Sequence, residues 1–270
     1  MAEHRVRASD GVELACLVTG GEGPGPPLVL LNSLGTDRTM WDEVLPALTA
    51  SRPVVRFDAR GHGASEVPPG PYTLERLVDD VHDVARALHL DAVDLCGCSL
   101  GGLVALGAVV RRASWVRRVV VSNSAAHFGT AEAWEQRART VEASGMTTIA
   151  DTVLQRFLSP AFRDPEVARA DELRQRLVDT PVAGYAASCR ALAQADLRPG
   201  LASVAAPVLV VAGQDDVAVP AAVSLEVAEA VQDGSAVLLP GGHLSSVEQP
   251  AAFTTAVLEH LDVYQRNRST

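Results

Sequence analysis

The chain has 270 residues, of which 47% are apolar and 21% charged, a composition typical of a globular protein that buries its own core. Its 23 basic and 33 acidic side chains give a formal net charge of −10, which disfavours non-specific binding to nucleic acid or to an anionic membrane. The sequence contains no lysine, so a Schiff-base or Ser-Lys mechanism is excluded.

The cysteines and the N-terminus give no sign of an exported protein. Four cysteines in a chain of this length do not make a disulfide framework, and Cys96 and Cys98 lack the C-x-x-C spacing of a zinc or redox site. We expect them to be small buried side chains. The first ten residues are polar, and no apolar run is long enough to span a bilayer. We therefore expect a cytoplasmic protein.

The predicted elements alternate between strands and helices along most of the chain. Two strands between Val6 and Val18 flank Asp10-Gly11, a hairpin signal in which both turn positions are expected at positive φ. Apolar runs and helical periodicity then predict strands at 27–31, 53–57, 92–96, 116–121, 207–212 and 235–239, and helices at 74–88 and from residue 100. This alternation predicts an α/β fold with a mostly parallel sheet and helices on both faces.

The alternation stops between Asn123 and Pro207, where no run resembles a strand. Four helices are predicted there, at 131–143, 148–157, 164–177 and 180–195. Asp164-Pro165 and Thr180-Pro181 are the expected capping starts of the last two. We therefore expect a core made of residues 1–123 and 207–270, with residues 124–206 inserted as a helical cap.

The segment G-C-S-L-G at 97–101 carries the sharpest chemical signal. It fits G-x-S-x-G and lies between a predicted strand and a glycine-rich helix, which is the context that a nucleophile elbow requires. The helix N-terminus after Ser99 favours negative charge that develops there. An elbow centred on Cys98 would need glycines at positions occupied by Cys96 and Leu100. Ser99 is therefore the predicted nucleophile.

A nucleophilic serine needs a base, and the base needs an orienting carboxylate. Behind this type of elbow the acid precedes the histidine in the chain. His243 follows the last predicted strand in a loop, whereas His127 comes too early and His260 lies in a terminal apolar helix. His243 is therefore the predicted base.

The orienting acid is expected in the loop after the strand at 207–212. The spacing G-x-x-D-x-x-x-P in that loop selects Asp216, and the adjacent Asp215 remains a substitute.

The oxyanion hole requires two backbone N–H donors. One is expected from Leu100, directly after Ser99, and the other from Leu34 in the loop after the strand at 27–31. The segment 58–65 is interpreted as a segment that shapes a loop.

Segments from nearly the whole chain carry a family resemblance. They are N-S-L-G-T-D at 32–37, F-D-A-R-G-H-G at 57–63, the elbow with Gly102, H-L-S-S-V-E-Q-P at 243–250 and, in the cap, W-E-Q-R at 134–137 and S-P-A-F at 159–162. Together they resemble the α/β-hydrolase superfamily and, more narrowly, the 3-oxoadipate enol-lactonases. The chain departs from that pattern at Cys98, where an apolar residue such as leucine is usual, and at Phe157-Leu158, where a Trp-Phe pair is usual.

The resemblance implies an α/β-hydrolase fold and a serine hydrolase that opens a small, anionic lactone. Ser99, His243 and Asp216 would form the triad of an acyl-enzyme mechanism that needs no metal or organic cofactor. A substrate carboxylate should meet an arginine, because that pairing forms two parallel hydrogen bonds. Arg137 is the first candidate, with Arg156 and Arg190 as others, and Trp134 and Phe157 complete the expected substrate-binding residues.

Other functions remain open at this stage. The same triad would suit a carboxylesterase, a C–C bond hydrolase, or a biosynthetic relative that acts on another lactone or ester or as a cyclase. A small-molecule receptor is an alternative from a different class. The expected partner is a small-molecule substrate, without nucleic acid or membrane, and the sequence leaves open whether the chain forms a homo-oligomer.

Overall fold

A computed structural model describes residues 1–20, 23 and 25–266 of the chain. Its strands are β1 (Ala2–Arg7), β2 (Glu13–Thr19), β3 (Leu28–Leu31), β4 (Val54–Phe57), β5 (Val93–Cys98), β6 (Val116–Ser122), β7 (Val208–Gly213) and β8 (Gly234–Leu239). Its α-helices are α1 (Leu45–Thr49), α2 (Leu74–Ala87), α3 (Leu100–Val110), α4 (Ala131–Ser144), α5 (Thr147–Phe157), α6 (Pro160–Arg163), α7 (Val167–Asp179), α8 (Val182–Gln194), α9 (Ala221–Ala230), α10 (Ser245–Glu248) and α11 (Pro250–Arg266). Two short 3-10 helices span Arg38–Trp41 and Arg198–Ser203.

The eight strands form one sheet in the order β1-β2-β4-β3-β5-β6-β7-β8. β2 pairs antiparallel with β1 and β4, and every other neighbouring pair is parallel. All residues of β3, β5 and β7 are buried, as the continuous apolar runs predicted. Because parallel strands end at the same edge of a sheet, the loops after β3, β5, β6, β7 and β8 lie together there.

The predicted hairpin forms between β1 and β2, but its turn differs in detail. Gly11 takes a left-handed φ of +92°, whereas Asp10 does not. The N–H of Ala8 donates to Val12, and the N–H of Gly11 donates to Ala8. The loop thus has three residues with a single left-handed position at its end, a geometry that needs glycine only there.

The segment predicted to form the cap, residues 124–206, contains five α-helices, α4 to α8, instead of the four predicted. The predicted start at Asp164-Pro165 is wrong. Ser159-Pro160 supplies the same capping pattern earlier, and Ser159 Oγ accepts a hydrogen bond from the N–H of Phe162. The short α6 ends before Pro165, which cannot donate a backbone hydrogen bond, and α7 begins only at Val167.

The capping role predicted for Thr180 is also wrong. Its hydroxyl donates to the carbonyl of Arg176 at the end of α7 over 3.1 Å. The hydroxyl thereby satisfies a carbonyl of the preceding helix, and α8 begins at Val182 without a side-chain cap.

The two ends of the cap meet beside the sheet. His127 and Asp196 form an isolated antiparallel bridge, and the N–H of Leu197 donates to Ala126 over 2.8 Å. Inside the cap, α4 packs against α8. The division of the chain at residues 123/124 and 206/207 into core and cap stays a prediction.

The four cysteines are unpaired and buried, as expected. Over residues 1–20, 23 and 25–266, none of the helices has both the length and the apolar character needed to cross a membrane.

Candidate active site

Ser99 lies in the sharp turn between β5 and α3 with a φ of +53° and a ψ of −116°. A Cβ at Gly97 would lie 2.1 Å from the carbonyl oxygen of Gly101, and a Cβ at Gly101 would lie 2.2 Å from that of Leu31. These contacts are with backbone atoms that cannot rotate away. The two glycines of the motif therefore allow the turn that holds Ser99 in a strained conformation.

His243 and Asp216 form a buried pair at the ends of neighbouring strands. His243 follows β8 and Asp216 follows β7, and His243 Nδ1 lies 2.8 Å from Asp216 Oδ2. Asp215, the other candidate acid, is exposed. The structure thus brings Asp216, and not Asp215, to the imidazole.

The carboxylate of Asp216 is surrounded by hydrogen-bond donors. Its Oδ1 accepts from the N–H groups of Ala218 at 2.8 Å and Val219 at 2.9 Å. Its Oδ2, which contacts the imidazole, also accepts from Asn123 Nδ2 at 3.1 Å. Together these hydrogen bonds hold the plane of the carboxylate fixed.

Asn123 is a site residue that the sequence analysis missed. It follows β6 with a left-handed φ of +47°. Besides Asp216, its Nδ2 donates to the carbonyl of Gly242 at 3.1 Å, and its Oδ1 accepts from Ser122 Oγ at 2.8 Å and Ser245 Oγ at 2.7 Å. The signal available in the sequence was an asparagine just after a predicted strand of a parallel sheet, because site residues lie at such strand ends and asparagine tolerates left-handed turns.

The loop after β3 reaches the cavity through Leu34. Leu34 lines the same cavity as Ser99. Among the hydrogen bonds of the described residues, none uses the N–H of Leu34 or of Leu100, whereas the N–H of Gly35 donates to His62 Nε2 over 3.1 Å. Burial lowers the pKa of His62, so its ring stays neutral and Nε2 accepts.

The segment 58–65 shapes this loop, as the sequence analysis expected. His62 supports Gly35, and Asp58 accepts from the N–H of Arg38 over 2.8 Å. Within the loop itself, Asn32 accepts from Trp41 Nε1 at 2.8 Å and donates to the carbonyl of Phe57 at 3.0 Å.

A cavity of about 190 Å³ lies between the core and the cap. The core contributes Ser99, His243, Leu34, Ala218 and Val219. The cap contributes the three predicted residues and several others: Trp134, Arg137, Phe157, Phe128, Gly129, Thr130, Ala133, Val153, Arg156 and Tyr185. Within the described part of the chain, no group of three His, Cys, Asp or Glu side chains could hold a metal ion.

Two arginines lie in this cavity. The guanidinium of Arg137 lies over the Trp134 ring, 5.0 Å from its centroid, and Arg156 Nη2 lies 3.4 Å from the carbonyl oxygens of Val217 and Ala218. Among the described residues, neither arginine forms an ion pair with a carboxylate. Burial and the nearby charge of Arg137 lower the pKa of Arg156.

Arg190, the third candidate, is not part of the cavity lining. Its guanidinium forms two hydrogen bonds with Glu142, of 2.7 and 2.8 Å. A charge already neutralised by a carboxylate is a weak site for a second anion, which makes Arg190 the poorest of the three candidates.

Cys98 lies behind the elbow and faces the interior. Its Sγ donates to the carbonyl of His243 over 3.6 Å, and burial raises the pKa of the thiol. A buried, neutral thiol is a poor nucleophile. The geometry thus agrees with the choice of Ser99 from the motif.

Comparison with known proteins gives a consistent family. Residues 26–250 match the family model described as alpha/beta hydrolase fold. The 3-oxoadipate enol-lactonase 2 of Acinetobacter baylyi is 36% identical over 239 residues, which cover 88% of this chain and 90% of that protein. The chain belongs to the α/β-hydrolase family. The similarity also confirms the resemblance to the 3-oxoadipate enol-lactonases.

Solved structures agree with this assignment. The enol-lactonase from Burkholderia xenovorans LB400 superposes with a TM-score of 0.92 at 37% identity, covering 96% of this chain and 99% of that one. A thermophilic esterase from Thermogutta terrifontis, solved with malate bound, superposes with a TM-score of 0.91 at 27% identity over the full length of both chains. The predicted α/β-hydrolase fold is confirmed.

Proposed function

We propose that this chain is a serine hydrolase that opens a small, anionic lactone, most like 3-oxoadipate enol-lactone. Its similarity to known enol-lactonases shows that it is a hydrolase of carboxylic esters or lactones. One arrangement carries the finer proposal. The same cavity is lined by Ser99, by His243 and by two arginines, Arg137 and Arg156, which have no carboxylate partner among the described residues. The substrate would therefore meet a nucleophile, a base and positive charge in one small space.

The mechanism follows from the positions of these groups. Ser99 Oγ attacks the lactone carbonyl while His243 Nε2 takes its proton, and Asp216 stabilises the imidazolium through Nδ1. The N–H groups of Leu34 and Leu100 bind the tetrahedral oxyanion, and each such donor is worth roughly 3–4 kcal/mol in the transition state. His243 then protonates the ring oxygen as it leaves.

The second half of the reaction reuses the same groups. Opening the lactone leaves the acyl group on Ser99 and the enol at the other end of the same molecule. His243 deprotonates a water molecule, which attacks the ester carbonyl, and the proton returns to Ser99 as the bond breaks. The products are the carboxylic acid and the free enzyme, so the steps need no further reactant.

The charge of the cavity supports an anionic substrate. The protein carries a net charge of −10, and repulsion of an anion extends over about a Debye length of ~8–10 Å at physiological salt. Inside the cavity, the guanidinium groups of Arg137 and Arg156 provide positive charge near the substrate. The volume of about 190 Å³ is below the ~300–1,000 Å³ of sites for drug-sized ligands, which favours a small substrate.

The deciding experiment compares 3-oxoadipate enol-lactone with p-nitrophenyl acetate, a neutral ester, for the wild type, Ser99→Ala and Cys98→Ala. We expect Ser99→Ala to lose turnover of both substrates by at least ~10³-fold, because the residual rate comes from binding and the oxyanion hole alone. Cys98→Ala tests the neighbouring thiol as an alternative nucleophile. Because that thiol bonds the carbonyl of His243, we expect a loss within about tenfold, far smaller than that of Ser99→Ala. Wild-type turnover by Ser99→Ala would disprove the nucleophile assignment.

A carboxylesterase is the second candidate, favoured by the structural similarity to the Thermogutta terrifontis esterase. The ratio of kcat/KM for the lactone to kcat/KM for the neutral ester separates the two functions. A lactonase gives a ratio far above one, whereas an esterase gives a ratio near or below one.

A further inference from the structure

A carboxylate without a cationic partner is buried between the cap and the His243 loop. Glu248 is 8% exposed, and its Oε1 accepts from the N–H of Ser159 at 3.1 Å and from the N–H of Gly242 at 3.0 Å. Its Oε2 accepts from Ser159 Oγ at 2.5 Å. Among the ion pairs of the described residues, none includes Glu248. Ser159 belongs to the cap and Gly242 to the loop that carries His243, so one carboxylate binds both segments.

The same two segments are also joined directly through their backbones. The carbonyl of Phe157 accepts from the N–H of His243 at 2.9 Å and from the N–H of Leu244 at 3.3 Å. The rings of Phe157 and His243 lie 5.0 Å apart between centroids, with an interplanar angle of 32°. The base thus lies against a cap side chain that also lines the substrate cavity.

The fit around Glu248 leaves no room for a larger neighbour. A Cβ at Gly242 would lie 2.8 Å from Glu248 Oε1 and 2.9 Å from the backbone nitrogen of Ser159. A Cβ at Gly241, where φ is +101°, would lie 2.8 Å from Oε2. Two successive glycines therefore allow the loop to approach the carboxylate closely.

We propose that Glu248 is a positioning residue that fixes the cap segment 157–159 to the His243 loop, so that Phe157 and the base keep one relative position. Withdrawing the cap segment would remove two of the three hydrogen bonds that Glu248 accepts. A buried charge left with one donor is costly, and this cost couples the two segments. Glu248 itself lies outside the lining of the substrate cavity and acts through its neighbours.

Ser159→Ala tests the coupling from the cap side, because it removes one hydrogen bond to Glu248 and leaves the His243 loop unchanged in sequence. It also removes the cap of α6 at the N–H of Phe162, so exchange at 241–245 decides whether the two segments are coupled. The measurement is hydrogen–deuterium exchange of backbone amides at residues 157–163 and 241–245, with β5 as an internal reference. We expect exchange to rise roughly tenfold in both segments, the effect of losing a hydrogen bond to a charged group. Glu229→Gln, at an exposed glutamate, is the control and should change neither segment.

A kinetic arm rests on the proposed function and uses Glu248→Gln and Glu248→Ala. We expect kcat to fall more than KM rises, because a displaced base affects the chemical step. We also expect Glu248→Gln, which keeps one acceptor oxygen, to recover part of the rate lost in Glu248→Ala. Equal kcat in both variants and the wild type would contradict the proposal.

The two arms separate the possible failures. Faster exchange in the cap segment with unchanged exchange at 241–245 in Ser159→Ala would overturn the coupling, whatever the activity. If the wild type hydrolyses neither substrate, the proposed function fails while the exchange result still decides the role of Glu248. If Glu248→Ala does not fold, Ser159→Ala and Glu248→Gln still give the answer.

Discussion

The side-chain amide of Asn123 donates a hydrogen bond to Asp216 over 3.1 Å, at the same oxygen that contacts His243 Nδ1. Asn123 follows β6 and Asp216 follows β7, so the contact bridges two neighbouring strand ends. The orientation of the acid therefore depends on a residue from a third strand end.

Replacing Asn123 should slow the reaction without blocking substrate binding. Asn123→Ala removes the donor to Asp216 and strains a left-handed position, so we expect kcat to fall about tenfold, the effect of one lost hydrogen bond, with KM nearly unchanged. Steady-state kinetics on the preferred substrate measure the split between kcat and KM. Asn123→Asp should be more damaging, because it places a second carboxylate beside Asp216. Unaltered kcat in both variants would show that Asn123 has no effect on the acid.

Neutralising the cavity arginines should affect anionic and neutral substrates differently. We expect Arg137→Gln or Arg156→Gln to raise KM for the anionic lactone by about 10- to 100-fold, since a charge-assisted hydrogen bond is lost. KM for p-nitrophenyl acetate should stay within about twofold of the wild type. Arg190→Gln is the control, because its guanidinium pairs with Glu142 away from the cavity. An equal change of KM for both substrates would argue against a role in binding the carboxylate.

Gly97→Ala should prevent the elbow from forming. The added Cβ would lie 2.1 Å from the backbone oxygen of Gly101, so β5 and α3 would have to separate. We expect little soluble protein, or a free energy of unfolding lower by more than ~3 kcal/mol, as for severe overpacking. In Gly145→Ala the Cβ meets nothing within 4 Å, so only backbone strain at φ +77° and ψ 171° remains, which should cost roughly 1–3 kcal/mol. Denaturant unfolding of the two variants provides the comparison.

The titration of Asp94 should lower the free energy of unfolding as pH rises from about 4 to about 6. Its side chain is buried at the start of β5, 3.0 Å from Arg52, and burial raises its pKa from 3.8 to about 6. Between about pH 4 and pH 6 the native state then holds more protons than the unfolded state, so its stability falls with rising pH. At most ~3 kcal/mol of unfolding free energy is involved.

The comparison with Asp94→Asn isolates this titration. We expect the unfolding free energy of the wild type, minus that of Asp94→Asn, to decrease from pH 4 to pH 6 and then to level off. Urea unfolding at successive pH values measures it. A difference that grows with pH would mean that attraction to Arg52 outweighs the cost of burial.

The sequence predicted the parts of the site that depend on local chemistry. The spacing of glycines around Ser99 identified the elbow, because only small residues at both ends allow that turn. The loop patterns selected Asp216 and His243, and the structure places these two side chains within hydrogen-bond distance. Their catalytic roles stay predictions until the variants are measured.

The contacts that support these residues could not be predicted, since they join segments distant along the chain. Asn123 forms a hydrogen bond with Asp216, which is 93 positions away in the sequence, and Ser159 forms one with Glu248, 89 positions away. Thr180 was wrongly predicted to cap α8 for a related reason. A polar side chain between two helices can form its hydrogen bond with the end of the preceding helix or with the start of the following one. Sequence spacing does not show which neighbour a polar side chain will find.

By itself, the sequence determined the order of the strands, the strained turn at Ser99 and a chain without lysine, since each depends on residue type and local spacing. Tertiary structure alone decided which arginines face the cavity and which residues support Asp216. Arg137, Arg156 and Arg190 carry the same charge in the same inserted segment. In the folded chain Arg137 and Arg156 line the cavity with Ser99, whereas Arg190 pairs with Glu142. The fold decides this, because an arginine pairs with a carboxylate only where the fold brings one within hydrogen-bond distance.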